Sequence, residues 1–188
     1  MDAYSNFFWV KDGALSPETC NSLIAKFGEH PHKIQGRTLA GYRPNIKQST
    51  DLFISDQPEF EEEDRSLAMV LSLSAREYIG QLAHVPWRSH FRDRGYTVQR
   101  TEPGQFFNWH SDFYIDPDDL WVRALAFIFY LNNVEGEGGE TEFCNGLKVK
   151  PKQGRLLFFP SDFSVFHRGV APVSDTKYIC TGWMHVTP

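Results

Sequence analysis

His110, Ser111 and Asp112 put an imidazole and a carboxylate two positions apart in the chain. On a β-strand or at its edge, residues i and i+2 point to the same side, so these two groups converge without outside help. A third donor, His167, follows an apolar stretch and Pro160. Two imidazoles and one carboxylate on one face bind a divalent transition metal and leave its other positions open. That suits ferrous iron, which must also take a co-substrate and O2. Hydrolytic zinc uses some of the same ligand types, so the three residues alone leave both chemistries open. Further on stands Lys177, in a run that continues through Thr181 to Trp183. A metal-chelating co-substrate with a second carboxylate needs a buried cation at its far end, which Lys177 can supply; a surface lysine is the ordinary alternative.

Strands and turns must position these groups. From about Phe91 onward the chain reads as short β-type runs: Tyr96 to Arg100, Ala124 to Leu131, Leu147 to Lys150, Arg155 to Phe159 and Tyr178 to His185. Glycines and prolines punctuate them at Pro103-Gly104, 136–139, 151–154, Pro160 and Pro172. Upstream, Ser16-Pro17-Glu18 opens a helix with a capping hydroxyl, a first-turn proline and an acid near the positive end of the dipole. Its apolar face is Cys20, Leu23, Ile24 and Phe27, and Gly28 and Pro31 are expected to stop it. A second helix is expected from about Pro58 to Pro86, with Leu67, Val70, Leu71, Tyr78 and Leu82 buried and Glu59, Glu61, Glu62 and Glu63 on a solvated face. Residues 36–54 read as a loop with irregular strands. Helices followed by many short strands predict a mixed α+β fold, a double-stranded β-helix (jelly roll) braced by N-terminal helices.

At 188 residues, against roughly 150 per domain, the chain is expected to form one domain spanning 1–188. Residues 1–90 would give helical support and a substrate-side loop, and 91–188 the jelly-roll catalytic core. Hydrophobic residues make up 41% and charged residues 23%, the balance of a folded chain with a sizeable core. The net charge of −5 disfavours nonspecific attraction to nucleic acid or anionic membrane. Cys20, Cys144 and Cys180 are odd in number and far apart, so buried free thiols are expected rather than disulfides or zinc ligands. Acids near the N-terminus and the lack of a long apolar run argue against a signal peptide or membrane span, so a cytoplasmic location is expected. His30, His32, His84, His90 and His185 have no partner at ligand spacing.

The chain resembles the Fe(II)/2-oxoglutarate-dependent dioxygenases, within them the prolyl 4-hydroxylase-like group. The matching pieces run in order: Pro103-Gly104 into FNWHSD at 107–112, RALAFIFYLN at 123–132, GGETEF at 138–143, GRLLFFPS at 154–161, and HRGVAPVSDTKYICTGW at 167–183. The N-terminal half resembles the family more weakly. The resemblance implies His110, Asp112 and His167 as the iron ligands and Lys177 as partner of the distal carboxylate of 2-oxoglutarate. Many relatives use Arg there, whereas collagen-type prolyl 4-hydroxylases use Lys. A lysine makes no bidentate fork, so a neighbouring hydroxyl should help, and Tyr130 matches a tyrosine with that task. Thr181 and Trp183 match residues flanking the same pocket, with packing as an equal alternative. Upstream of the first metal histidine, where relatives commonly have tyrosine, this chain has Thr101. The GGET motif at 138–141 reads as structural; Arg123, which leads an apolar strand, reads as structural too, with an acid or the substrate as the alternative it could face.

The implied cofactors are Fe(II), 2-oxoglutarate and O2, with ascorbate as a reductant. The implied reaction yields succinate, CO2 and a hydroxylated substrate, most readily a prolyl residue in a peptide or protein bound across the barrel mouth. A free amino acid or other small molecule stays open, as do a nucleic-acid demethylase, which would want a basic aromatic face, and a cupin-like metal-binding module, which has no need of Lys177. Oligomeric state has no sequence signal.

Overall fold

A computed structural model describes residues 7–82 and 91–186. His84, Pro86 and His90, named above, lie outside the described residues. The chain opens with β1 (Trp9–Lys11) and α1 (Pro17–Glu29), and continues through β2 (Ile34–Gln35) and β3 (Thr50–Phe53) to α2 (Glu61–Gln81). After α2 come nine strands among the described residues: β4 (Arg92–Asp93), β5 (Thr97–Thr101), β6 (Phe107–His110), β7 (Val122–Tyr130), β8 (Thr141–Phe143), β9 (Lys148–Val149), β10 (Leu156–Pro160), β11 (His167–Gly169) and β12 (Lys177–Val186).

All pairings within the two sheets are antiparallel. The major sheet has eight strands in the order β1-β10-β7-β12-β5-β3-β2, with β4 also on β12, and the minor sheet runs β6-β11-β8-β9. This is the jelly-roll arrangement of a mixed α+β chain.

Side-chain alternation explains why the central strands read as unbroken apolar runs. On β7 and β10, Phe127, Phe129, Leu156 and Phe158 face α1 and α2, packing with Cys20, Leu23, Phe27, Leu67, Leu71 and Tyr78. The intervening Ala126, Ile128, Tyr130, Leu157 and Phe159 face the minor sheet and pack with Phe143 and Val149. The same alternation on β12 sends Cys180 and Met184 into the helix-side core. It leaves Lys177, Ile179, Thr181 and Trp183 along a cavity between the sheets.

The helices form as expected, with one difference. Ser16 caps α1 by accepting a hydrogen bond from the Thr19 amide at 3.2 Å. Glu63, expected on a solvated face, is instead buried, where it accepts from Ser22 Oγ at 2.5 Å and from Lys26 Nζ at 2.7 Å. It thereby locks α2 to α1 with a satisfied carboxylate, because a buried charge survives only when paired. Of the three free cysteines, Cys20 and Cys180 are buried as expected and Cys144 is exposed. Strands β1, β6, β8 and β11 escape sequence detection because they are three or four residues long and carry too few apolar side chains to alternate visibly. Among the described residues, no helix is long and apolar enough to cross a membrane.

Candidate active site

β6 and β11 lie side by side, and their register puts His110 directly opposite His167. β6 ends at His110, so strand alternation alone does not aim Asp112. Ser111 does that work: its hydroxyl donates to the Asp162 carbonyl at 3.0 Å and accepts from the Phe113 amide at 3.2 Å, fixing the chain on both sides of the carboxylate. His110 Nε2 stands 3.7 Å from Asp112 Oδ1, and His167 Nε2 stands 3.7 Å from Asp112 Oδ2. One ligand atom from each residue falls within 4.8 Å of the others, the one such metal-capable group among the described residues. Donors sharing one divalent ion at about 2.1 Å lie roughly 3 to 4 Å apart, and both histidine–carboxylate separations fall in that range.

The ring nitrogens are oriented for that task. His110 Nδ1 is 2.7 Å from the Asn108 carbonyl and His167 Nδ1 is 3.5 Å from the Val165 carbonyl. A carbonyl only accepts, so each Nδ1 carries the proton and each Nε2 offers its lone pair to the centre. Aromatic rings hold both imidazoles: Phe107 stacks on His110 at 3.5 Å, and Phe159 lies edge-on to His167 at 4.7 Å. Lys47 sits over the Phe107 ring at 5.2 Å. Burial pushes the pKa of both histidines below the ordinary imidazole value, and for His110 the neighbouring His167 adds to the effect. Both imidazoles are therefore neutral and available as ligands near pH 7.

The three donors open into a cavity of about 570 Å³. Lys177 lies in its wall, only 4% exposed, with Nζ donating to the Gly139 carbonyl at 3.1 Å and, among the described residues, no carboxylate in hydrogen-bond contact. Burial pushes its pKa down to about 8. Such a cation is costly to bury and fits one ligand chemistry best, a carboxylate that enters the cavity. Thr101 pairs opposite Lys177 on β5 and lines the same cavity, as do Thr181 and Trp183. Thr181 donates its hydroxyl proton to the Phe127 carbonyl at 2.7 Å, which leaves its oxygen as an acceptor. The Trp183 Nε1 is buried and has no hydrogen-bond partner among the described residues.

Tyr130 is fully buried, and its hydroxyl donates to Thr141 Oγ1 at 2.7 Å instead of lining the cavity. Thr141 does line it. With its oxygen already accepting from Tyr130, the Thr141 hydroxyl is left to donate into the cavity. The GGET segment is thus more than a turn: Gly139 supplies the carbonyl that holds Lys177, and Thr141 presents a donor. Its glycines are still required by the backbone, because Gly138 has φ +79° and a Cβ there would meet the Ala171 oxygen at 2.0 Å. Replacing Thr141 with valine removes the donor at constant shape. The Michaelis constant for 2-oxoglutarate is expected to rise about tenfold, the worth of one hydrogen bond to a charged acceptor. Metal titration of the same variant should match wild type; a parallel loss of both would mean misfolding.

Of the two readings open for Arg123, the cavity-facing one agrees with its position. Its parity along β7 differs from that of Ala126 and Ile128, but a register shift between Arg123 and Leu125 brings it opposite His185 and onto the cavity face. The guanidinium lies 3.5 Å from the Trp183 ring centroid, and its Nε is buried without a hydrogen-bond partner among the described residues. An unpaired donor beside the three-residue centre is built to meet an acceptor on a bound molecule.

Comparisons with known proteins agree with this geometry. Residues 96–185 match a model of the 2OG-Fe(II) oxygenase superfamily. The chain is 26% identical over 199 residues to prolyl 4-hydroxylase 1 of Arabidopsis thaliana, covering 90% of this chain and 65% of that protein. It is 32% identical over 127 residues to probable prolyl 4-hydroxylase 9 of the same plant, covering 52% and 42% respectively. The chain therefore spans less than two thirds of the length of these curated relatives. Among solved structures, a viral collagen prolyl hydroxylase from Paramecium Bursaria Chlorella virus-1, in its 2OG complex, superposes with a TM-score of 0.70 at 21% identity, covering 100% of both chains. A prolyl hydroxylase from Trichoplax adhaerens, in complex with a hypoxia inducible factor peptide fragment, gives 0.71 at 17% identity over 96% of this chain and 84% of that one. These two likenesses show the fold. Together with the family model and the curated relatives, they make the chain similar, over residues 96–185 above all, to the 2OG-Fe(II) oxygenase superfamily and, within it, to prolyl 4-hydroxylases.

Proposed function

We propose that the chain is a 2-oxoglutarate-dependent oxygenase that hydroxylates a prolyl residue in a peptide or protein. The observation that carries this reading is the pairing, in one cavity, of a His-Asp-His donor set with a buried ammonium that has no carboxylate in contact. A simple metal-binding module has no use for the second feature. Fe(II) with 2-oxoglutarate and O2 supplies, when bound, the oxidation that converts a C–H bond to C–OH with release of succinate and CO2.

The residues of the chain orient and enclose. His110, Asp112 and His167 would hold the metal, with Asp112 offsetting part of its charge. Lys177 would take the distal carboxylate of 2-oxoglutarate and Thr141 would donate a second hydrogen bond to it, with Tyr130 fixing the Thr141 hydroxyl from behind. Thr101, Thr181 and Trp183 would bound the same pocket. Arg123 would donate to a main-chain carbonyl of the substrate, its plane held by Trp183. The apolar rim favours a peptide over a free amino acid: Leu39, Trp109, Phe113 and Phe163 are exposed at or beside the mouth, in a pattern suited to a ligand longer than one residue. Residues 1–188 are read as one domain, because helices and major sheet share a single apolar cluster.

The test is a mass-spectrometric screen of proline-containing peptides with Fe(II), ascorbate and 2-oxoglutarate. A gain of one oxygen on proline, matched by succinate, is the expected result. Succinate formation that no proline peptide stimulates would overturn the prolyl assignment.

A further inference from the structure

The charged side chains of the cavity are Arg37, Lys47, Asp112, Arg123 and Lys177. Lys47 is neutralised by Asp51, with Nζ 2.7 Å from Oδ2 in a buried pair. Asp112 and Lys177 are matched once a divalent ion and a dicarboxylate are in place, which is the reading proposed above and the one on which this inference rests. Arg37 and Arg123 then remain without an acid. Arg37 makes no hydrogen bond or ion pair among the described residues, and residues 36–50 contain no Asp or Glu at all.

The acids on the other side of the mouth do not compensate. Asp116 accepts from the amides of Asp118 and Asp119, and both Asp116 and Asp119 face Arg94 at 3.9 and 3.8 Å. Asp162 is occupied by the amide and hydroxyl of Ser164. None of these acids lines the cavity. The loaded site therefore keeps an excess of positive charge at its entrance.

Arg37 is also held in place. Gly36 before it donates its amide to the Ser49 carbonyl at 2.9 Å and is packed so closely that a Cβ would meet Ser49 Oγ at 2.2 Å. Thr38 after it exchanges backbone hydrogen bonds with Gly41 at 3.0 and 2.9 Å. The same loop is fastened to β6 through Gln48 to Phe106 and Asn108 to Ile46, both at 2.7 Å. The backbone at Arg37 is thus fixed between two anchored residues, which sets where its exposed guanidinium can reach, and its charge acts on recognition.

We propose that the substrate is an acidic peptide, in which a Glu or Asp side chain near the target proline is received by Arg37 at the cavity mouth. The test uses peptides blocked at both ends, each with one proline flanked by Glu, Gln or Lys, so that a side chain is the only carboxylate present. Holoenzyme with Fe(II) and 2-oxoglutarate should show kcat/KM for the Glu peptide about fivefold above the Gln peptide and the Lys peptide lowest, an advantage that shrinks with added salt. Arg37→Glu, an exposed substitution with no packing partner to lose, should reverse the order of the Glu and Lys peptides. Equal rates for Glu and Gln, or a Glu preference unchanged in Arg37→Glu, overturns the inference while leaving prolyl hydroxylation standing. Absence of oxygen gain on every peptide overturns the prolyl reading, and this inference with it.

Discussion

Asp112→Ala is expected to abolish turnover and to weaken metal binding by more than about 100-fold, since changes merely to groups supporting a metal ligand already cost 10–100-fold. The carboxylate faces both Nε2 atoms at 3.7 Å and is the only anion among the three donors. Without it, two neutral imidazoles are left to hold a dication in a cavity that also contains Arg123 and Lys177. The fold should survive, because burial alone keeps His110 and His167 uncharged near neutral pH and the surrounding aromatic contacts do not involve Asp112. Metal titration of the apo protein, followed by tryptophan fluorescence, together with thermal melting, separates the two effects. Near-wild-type metal affinity in a folded variant would remove Asp112 from the ligand set.

The second large effect runs in opposite directions for stability and activity. Lys177→Met should lose the response to 2-oxoglutarate yet make the apo protein more stable at pH 7, by about 1 to 3 kcal/mol. The folded pKa of Lys177 lies at about 8, pushed down by burial from an ordinary 10.5, and the group is fully enclosed. Between those values the unfolded chain holds a proton that the folded chain has lost, so stability rises with pH across that window. Below about pH 8 the full cost of burying the charge is present, and methionine removes it at the price of one hydrogen bond to the Gly139 carbonyl. Urea melts of both proteins from pH 7 to 10 read this directly: the gap between variant and wild type should be widest at pH 7 and close as pH rises. In wild type, 2-oxoglutarate should raise the melting temperature, and its affinity should fall above about pH 8 as the ammonium deprotonates. A variant that melts lower than wild type at every pH, with its response to 2-oxoglutarate intact, would show that Lys177 is a packing residue.

Much of the molecule is written locally. The α1 start follows from Ser16 and Pro17, whose capping chemistry needs no distant partner. The shared parity of Lys177, Thr181 and Trp183 places them on one face of β12 whatever that strand packs against. The residue types of His110, Asp112, His167 and Lys177 mark them locally as metal donors and a cation, with iron and zinc chemistry both open. What the chain does not state locally is register. Arg123 reaches the cavity because β7 and β12 slip by one residue near Met184, and a slip of one residue turns a side chain to the opposite face. Thr141 became a cavity donor only when Tyr130, eleven positions away, took its oxygen. Glu63 left the acidic run of its own helix because Ser22 and Lys26 of another one were there to receive it. Residue type and periodicity thus determined which groups exist and which way a strand or helix turns them. Contacts between distant segments, each worth having only after the intervening chain has folded, decided which of those groups share a cavity and which one stands there without a partner.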